Sequence, residues 1–216
     1  MQFDTVEDSL QYLDGFTCGH LHPLDVYEFG VFNGNTLGRL IKGFREKKIE
    51  VGHFWGFDSF EGLPKEDSRV WHNPEWPEHA FNVQKDFGLH SVDEAVAFVY
   101  NNLKQVNLDD NVTLIPGYFE DTCNGKTWSD MKMHFAHYIH IDADIYISSY
   151  QALDFCFDHW IPVNGTFIRF DDMMSTPRNA GQHLAWTKIK AKYNVVAEQY
   201  SYNVFRVLSY DMMEGD

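Results

Sequence analysis

The sequence predicts a doubly wound α/β fold: a sheet of about seven strands, mostly parallel, closed by an antiparallel terminal hairpin and covered by helices on both faces. Three observations predict it. Short β-branched or aromatic runs alternate with longer helical patterns along most of the chain. A glycine-containing turn follows the first run, where such sheets bring ligands to the carboxyl ends of their strands. The last two strand-like runs are separated by too few residues for a helical crossover, which makes them antiparallel. The plan is Rossmann-like.

Five runs read as buried parallel strands: Asp25–Phe29, Gly52–Phe57, Val112–Pro116, Tyr138–Ile141 and Thr166–Phe170. They are short and rich in β-branched and aromatic residues, as strands covered on both faces require. Helical patterns lie between them at Leu37–Lys47, Val92–Gln105 and Tyr150–His159, and another follows at Gly181–Tyr193. Val195–Gln199 and Asn203–Ser209 form the closing hairpin. Leu63–Gly88 fits no element, because Pro64, Pro74 and Pro77 interrupt any period. It also carries Trp71, Trp76 and Phe81, an apolar content that disorder does not favour. So long an irregular stretch inside a compact domain points to function, and it is read as a lid over the active site.

A chain of 216 residues with 44% hydrophobic residues suffices for one α/β domain, and residues 1–216 are read as a single unit. Only 17 basic residues stand against 32 acidic ones, a formal charge of −15. A protein gripping a phosphate backbone needs the opposite balance, so no nucleic-acid partner is expected. No apolar run reaches membrane-spanning length, and the acidic start Met1–Asp8 lacks a secretory pattern. Cys18, Cys123 and Cys156 are odd in number, distant and in no CxxC pair, so neither zinc nor a disulfide framework is expected. A cytoplasmic location fits those cysteines.

The first strand runs into Tyr27-Glu28-Phe29-Gly30-Val31-Phe32-Asn33-Gly34-Asn35-Thr36. This is ExGxxxGxT, not the GxGxxG of a dinucleotide site. A carboxylate ahead of the first glycine suits a ligand with a positive amino group better than one with phosphates. Glu28, Gly30 and Asn33 are the candidate contacts there. The second strand ends in Asp58-Ser59, where an acidic residue commonly takes the ribose hydroxyls of an adenosine-type ligand. Gly117 and Tyr118, after the third strand, are candidates for an adenine wall.

The sharpest signal is acidic. Asp142 and Asp144 follow the fourth strand, and Asp171 and Asp172 follow the fifth. If those strands are neighbours, their ends lie about 4.8 Å apart. Carboxylates so crowded repel unless a cation or protons intervene. A hard divalent ion such as Mg²⁺ resolves the conflict. Helix capping or plain strand-end exposure explains each pair alone, but less readily both together. Arg169 interrupts the otherwise apolar fifth strand, and no partner for it is evident.

Five stretches together resemble the macrocin O-methyltransferase family of bacterial sugar methyltransferases: Tyr27–Leu37, Phe54–Pro64, Gly117–Thr122, Ile139–Ser149 and Phe170–Asp172. The resemblance implies that Glu28, Gly30 and Asp58 contact S-adenosylmethionine. It implies that Asp142, Asp171 and Asp172 hold Mg²⁺, with Asp144 as the alternative first ligand. The expected reaction is methyl transfer to a hydroxyl of a small-molecule acceptor, a sugar or glycoside, with Asp142 as general base and also beside the cofactor. His140 is the weaker candidate base. Trp71 or Trp76 could stack on a sugar face, and a homodimer is the common assembly for such enzymes. Two rivals remain: an NAD-dependent oxidoreductase, and a catalytically silent module that binds S-adenosylmethionine or metal.

Overall fold

The computed structural model describes residues 2–13, 23–105 and 111–211. Cys18, one of the three cysteines weighed above, lies outside the described residues. The chain forms α1 (Val6–Leu10), β1 (Leu24–Phe29), α2 (Asn35–Glu46), β2 (Val51–Asp58), α3 (Val83–Phe87) and α4 (Val92–Lys104). There follow β3 (Val112–Pro116), α5 (Phe119–Thr122), α6 (Gly125–Asp130), β4 (Ala136–Ile141) and α7 (Tyr146–Asp158). The last elements are β5 (Pro162–Phe170), α8 (Gly181–Lys192), β6 (Val196–Gln199) and β7 (Val204–Ser209).

The strands form one sheet in the order β3-β2-β1-β4-β5-β7-β6. β1 to β5 are parallel, and β7 runs antiparallel to both β5 and β6. Chain order reverses between β1 and β4, which opens a crevice at their carboxyl ends. Among the described residues, no helix is long and apolar enough to cross a membrane.

Alternation along each strand sends successive side chains to opposite faces. Tyr27, Phe29, Ile139, Ile141, Ile168 and Phe170 pack with Leu153 and Phe157 of α7 and with Trp186 of α8. Val26, Tyr138 and Phe167 pack on the other face with Leu10 of α1, Leu37 and Ile41 of α2 and Val99 of α4. On that second face Glu28, His140 and Arg169 break the apolar pattern, although they are only 0%, 0% and 3% exposed.

Three of the departures from the sequence reading have clear physical reasons. β5 begins at Pro162, four residues before Thr166, because the Thr166 hydroxyl donates to the Ala136 carbonyl and ties the early part of the strand to β4. α7 begins at Tyr146 and not Tyr150, since a carboxylate remote in sequence caps it, as described below. Leu63–Gly88 is not wholly irregular. Its last part is α3, capped by the Asn82 side chain on the Lys85 amide and stopped by Gly88 in the left-handed region. The irregular stretch is therefore residues 63–82.

Candidate functional site

Gly30 holds the crevice closed at its base. Its φ is +96°, and a Cβ there would lie 1.7 Å from the Asp142 carbonyl oxygen. Only glycine lets β1 and β4 approach this closely. The ladder then continues past the strand ends: the Asp142 amide donates to the Phe29 carbonyl at 2.8 Å, and the Asp171 amide to the Ile141 carbonyl at 3.0 Å. Backbone pairing therefore delivers both acidic pairs to one rim.

Asp58 sits at the end of β2 and clamps the glycine turn. Its Oδ2 accepts from the Val31 and Phe32 amides at 2.8 and 2.7 Å, and its Oδ1 accepts from the Phe60 amide at 2.6 Å. Burial raises its pKa, while those three donors lower it. The sequence reading gave Asp58 a ribose; the structure also gives it this turn.

A pocket of about 310 Å³ opens at the rim, within the range of small-molecule sites. Gly30, Asp58, Ser59, Tyr118, Asp142, Asp144, Asp171 and Asp172 all line it. Leu63, Pro64, Trp76 and Phe81 add an apolar wall from the irregular segment. Glu28, Asn33 and Gly117 are not on this wall. Glu28 is fully buried behind it, Asn33 turns its carbonyl to the Asn102 side chain, and Gly117 donates its amide to the Asp58 carbonyl. Trp71 is 45% exposed and also lies off the wall. Phe119 and Ser148 also line the pocket; both lie inside resembling stretches, but neither was a candidate site residue.

The four rim acids disturb one another as expected. Burial raises the Asp142 pKa, and the charges of Asp171 and Asp172 raise it further. Burial and the charges of Asp172 and Asp142 raise that of Asp144. Asp172 is pushed up to about 7 by burial and by Asp171. Asp171 goes the other way: burial raises it, but the charge and hydrogen bond of the Arg169 guanidinium hold it well below the carboxylate range. Asp142, Asp171 and His140 each present a ligand atom within 4.8 Å of the others. His140 is committed elsewhere, to Glu28 through Nδ1 and to Arg169 through Nε2. The atoms left to meet a cation are carboxylate oxygens, the donor set of a hard divalent ion.

Two residues pin the fifth-strand pair. Arg169, which had no evident partner in the sequence reading, donates from Nη1 to Asp171 Oδ1 at 2.6 Å. Gln182 of α8, fully buried, accepts from the Asp172 amide at 2.8 Å and donates to Asp172 Oδ2 at 3.0 Å. Its amide also reaches the Ile141 carbonyl, stitching β4 to β5. Nothing in the local sequence marks Gln182, because its role depends on α8 returning to the sheet.

Residues 19–202 match the family model for Macrocin-O-methyltransferase (TylF). The chain is 28% identical over 170 residues to the 8-demethyl-8-(2,3-dimethoxy-alpha-L-rhamnosyl)-tetracenomycin-C 4'-O-methyltransferase of Streptomyces olivaceus. That alignment covers 76% of this chain and 59% of the relative, so the chain spans about three fifths of the relative's length. Similar solved structures include the O-methyltransferase NovP, with a TM-score of 0.64, 20% identity, and coverage of 94% of this chain and 78% of that one. CalS11, a calicheamicin methyltransferase, superposes with a TM-score of 0.68 at 18% identity, over 93% of this chain and 76% of that one. At such identities these two show a shared fold. The family match spans most of the chain, strands β1 to β6 and the rim acids included: the chain belongs to the macrocin O-methyltransferase family.

Proposed function

We propose that this chain is an S-adenosylmethionine-dependent O-methyltransferase that acts on a hydroxyl of a small sugar or glycoside, with a divalent cation held by Asp142, Asp171 and Asp172. The observation that carries this reading is a single pocket in which the Gly30 turn and Asp58 adjoin four acids of mutually perturbed charge. The family supports the reaction type. The tetracenomycin relative is by name a 4'-O-methyltransferase of a rhamnosylated compound, which supports the acceptor class.

Gly30, Asp58, Ser59, Tyr118 and Asp142 would hold the cofactor. When bound, S-adenosylmethionine supplies a methyl carbon on a sulfonium, and a divalent ion lowers the pKa of a nearby hydroxyl. The chain's residues supply position, base and dryness. Asp142, at the rim beside the cation and the acceptor oxygen, would take the hydroxyl proton. Trp76 and Phe81 exclude water and present apolar faces to a sugar ring, with residues 63–82 acting as the lid. Fixing both reactants in near-attack geometry contributes about 7–11 kcal/mol.

Calorimetry with S-adenosylmethionine, with and without Mg²⁺, followed by turnover on a glycoside panel, tests the proposal. Absence of binding heat, or NAD binding in its place, would overturn the cofactor assignment, and turnover undiminished by a chelator would remove the metal. Asp171→Asn is the sharper variant, because asparagine keeps an acceptor oxygen for the buried Arg169 guanidinium that alanine would remove. Metal-dependent turnover should fall about 100-fold or more, the cost of a few kcal/mol of lost charge stabilisation. Its affinity for S-adenosylmethionine should stay close to that of the parent.

A further inference from the structure

The register of the sheet sets three ionisable side chains in one row: Glu28 of β1 pairs with His140 of β4, and His140 pairs with Arg169 of β5. By alternation all three point to the face covered by α1, α2 and α4. The hydrogen bonds along the row have one possible direction. Arg169 has no acceptor, so its Nη1 donates to His140 Nε2. Nδ1 of the ring then carries a proton and donates to Glu28 Oε1 at 3.0 Å. Arg169 Nη1 also donates to Asp171 Oδ1, while Nε and Nη2 both reach the Asp4 carbonyl at 3.2 and 3.1 Å. The planar guanidinium is held from three sides, and Asp171 is the partner that lines the pocket.

We propose that Arg169 is a positioning residue for the cation site: fixed by His140 and the Asp4 carbonyl, it engages Oδ1 of Asp171 and leaves Oδ2 as the oxygen that meets the ion. This rests on the metal reading above. Two effects oppose each other. The charge of Arg169 repels a second cation, whereas its grip removes the freedom of Asp171 to turn away. Five acidic side chains surround the region (Glu28, Asp142, Asp144, Asp171 and Asp172) against one guanidinium, and geometry outweighs repulsion. The simpler role, tying the Asp4 segment to β5, would affect folding and leave ion affinity alone.

The test uses the full chain, R169M and R169K, with Mn²⁺ alone as the probe. Free Mn²⁺ is read by electron paramagnetic resonance, S-adenosylmethionine affinity by calorimetry without metal, and folding by thermal denaturation. Both variants should bind Mn²⁺ about 10–100-fold more weakly, the usual effect of losing an orienting partner behind a ligand. Cofactor affinity should not change. R169K decides the matter, because lysine keeps the charge but cannot span Asp171, His140 and Asp4 together. Variants that bind Mn²⁺ as tightly as the parent, or more tightly, overturn the inference while the metal reading stands. A parent that takes up no Mn²⁺ overturns both. Failure of both variants to fold makes Arg169 a structural residue and also overturns it.

Discussion

A side chain at Gly30 would place its Cβ 1.7 Å from the Asp142 carbonyl oxygen, on a backbone whose φ is +96°. Gly30→Ala should therefore cost about 1–3 kcal/mol from backbone strain alone. It should also push β1 from β4, so cofactor binding should be lost along with stability. Urea denaturation and calorimetry check this, and a variant with unchanged affinity would show that the rim tolerates displacement. Glu7 and Arg39 give a prediction with a pH signature. Their paired 2.6 Å hydrogen bonds hold the Glu7 pKa down at about 2. A depressed carboxylate stabilises the fold above its unfolded pKa, and that gain is lost as pH falls from about 4.5 towards 2. Both side chains are about half exposed, so screening limits the pair to about 0.2–1 kcal/mol. Glu7→Gln should be destabilised by that amount at pH 7 and match the parent near pH 2. Asp142, Asp171 and Asp172 were legible from sequence because acids at the ends of apolar strands are conspicuous. Glu28 was legible as a motif residue but not as a buried partner of His140, since that depends on register.

Helix α7 shows what one element owes to another. Ile145 offers no side-chain cap, and the first two amides of the helix instead donate to Glu66, at 2.6 Å from Tyr146 and 3.1 Å from Ile147. A carboxylate at a helix N-terminus also opposes the positive end of the dipole. The cap arrives from the segment proposed as the lid, and it fixes the turn that carries Asp144, itself at φ +52°. Glu66→Ala should cost about 1 kcal/mol, the usual loss of a cap. It should also speed limited proteolysis within residues 63–82; an unchanged cleavage rate would mean that other contacts hold the segment. The sequence period placed α7 four residues late for the same reason: no local residue announces a cap supplied from 80 positions away. α3 was missed because a five-residue helix is too short to show a period.

At the scale of the fold, the sheet separates two apolar cores among the described residues. Cys156 lies in the α7–α8 core, fully buried, and burial raises its thiol pKa. In a Cys18→Ser, Cys123→Ser background, Cys156 should resist a thiol reagent until urea unfolds the protein, with reaction and loss of circular dichroism coinciding. Labelling well before unfolding would show that this face opens separately. The sheet plan was legible because the strand runs are apolar on both faces and the closing hairpin is short.

What the sequence determined by itself was what period and residue type encode: seven strands, the four long helices α2, α4, α7 and α8, the glycine turn and the acids that end two strands. Tertiary structure decided which side chains meet. The β1–β4–β5 register aligned Glu28, His140 and Arg169, the return of α8 brought Gln182 to Asp172, and the irregular segment carried Glu66 to α7. Each is a contact between positions far apart in the chain, set by backbone pairing and close packing, and local propensity carries no information about either.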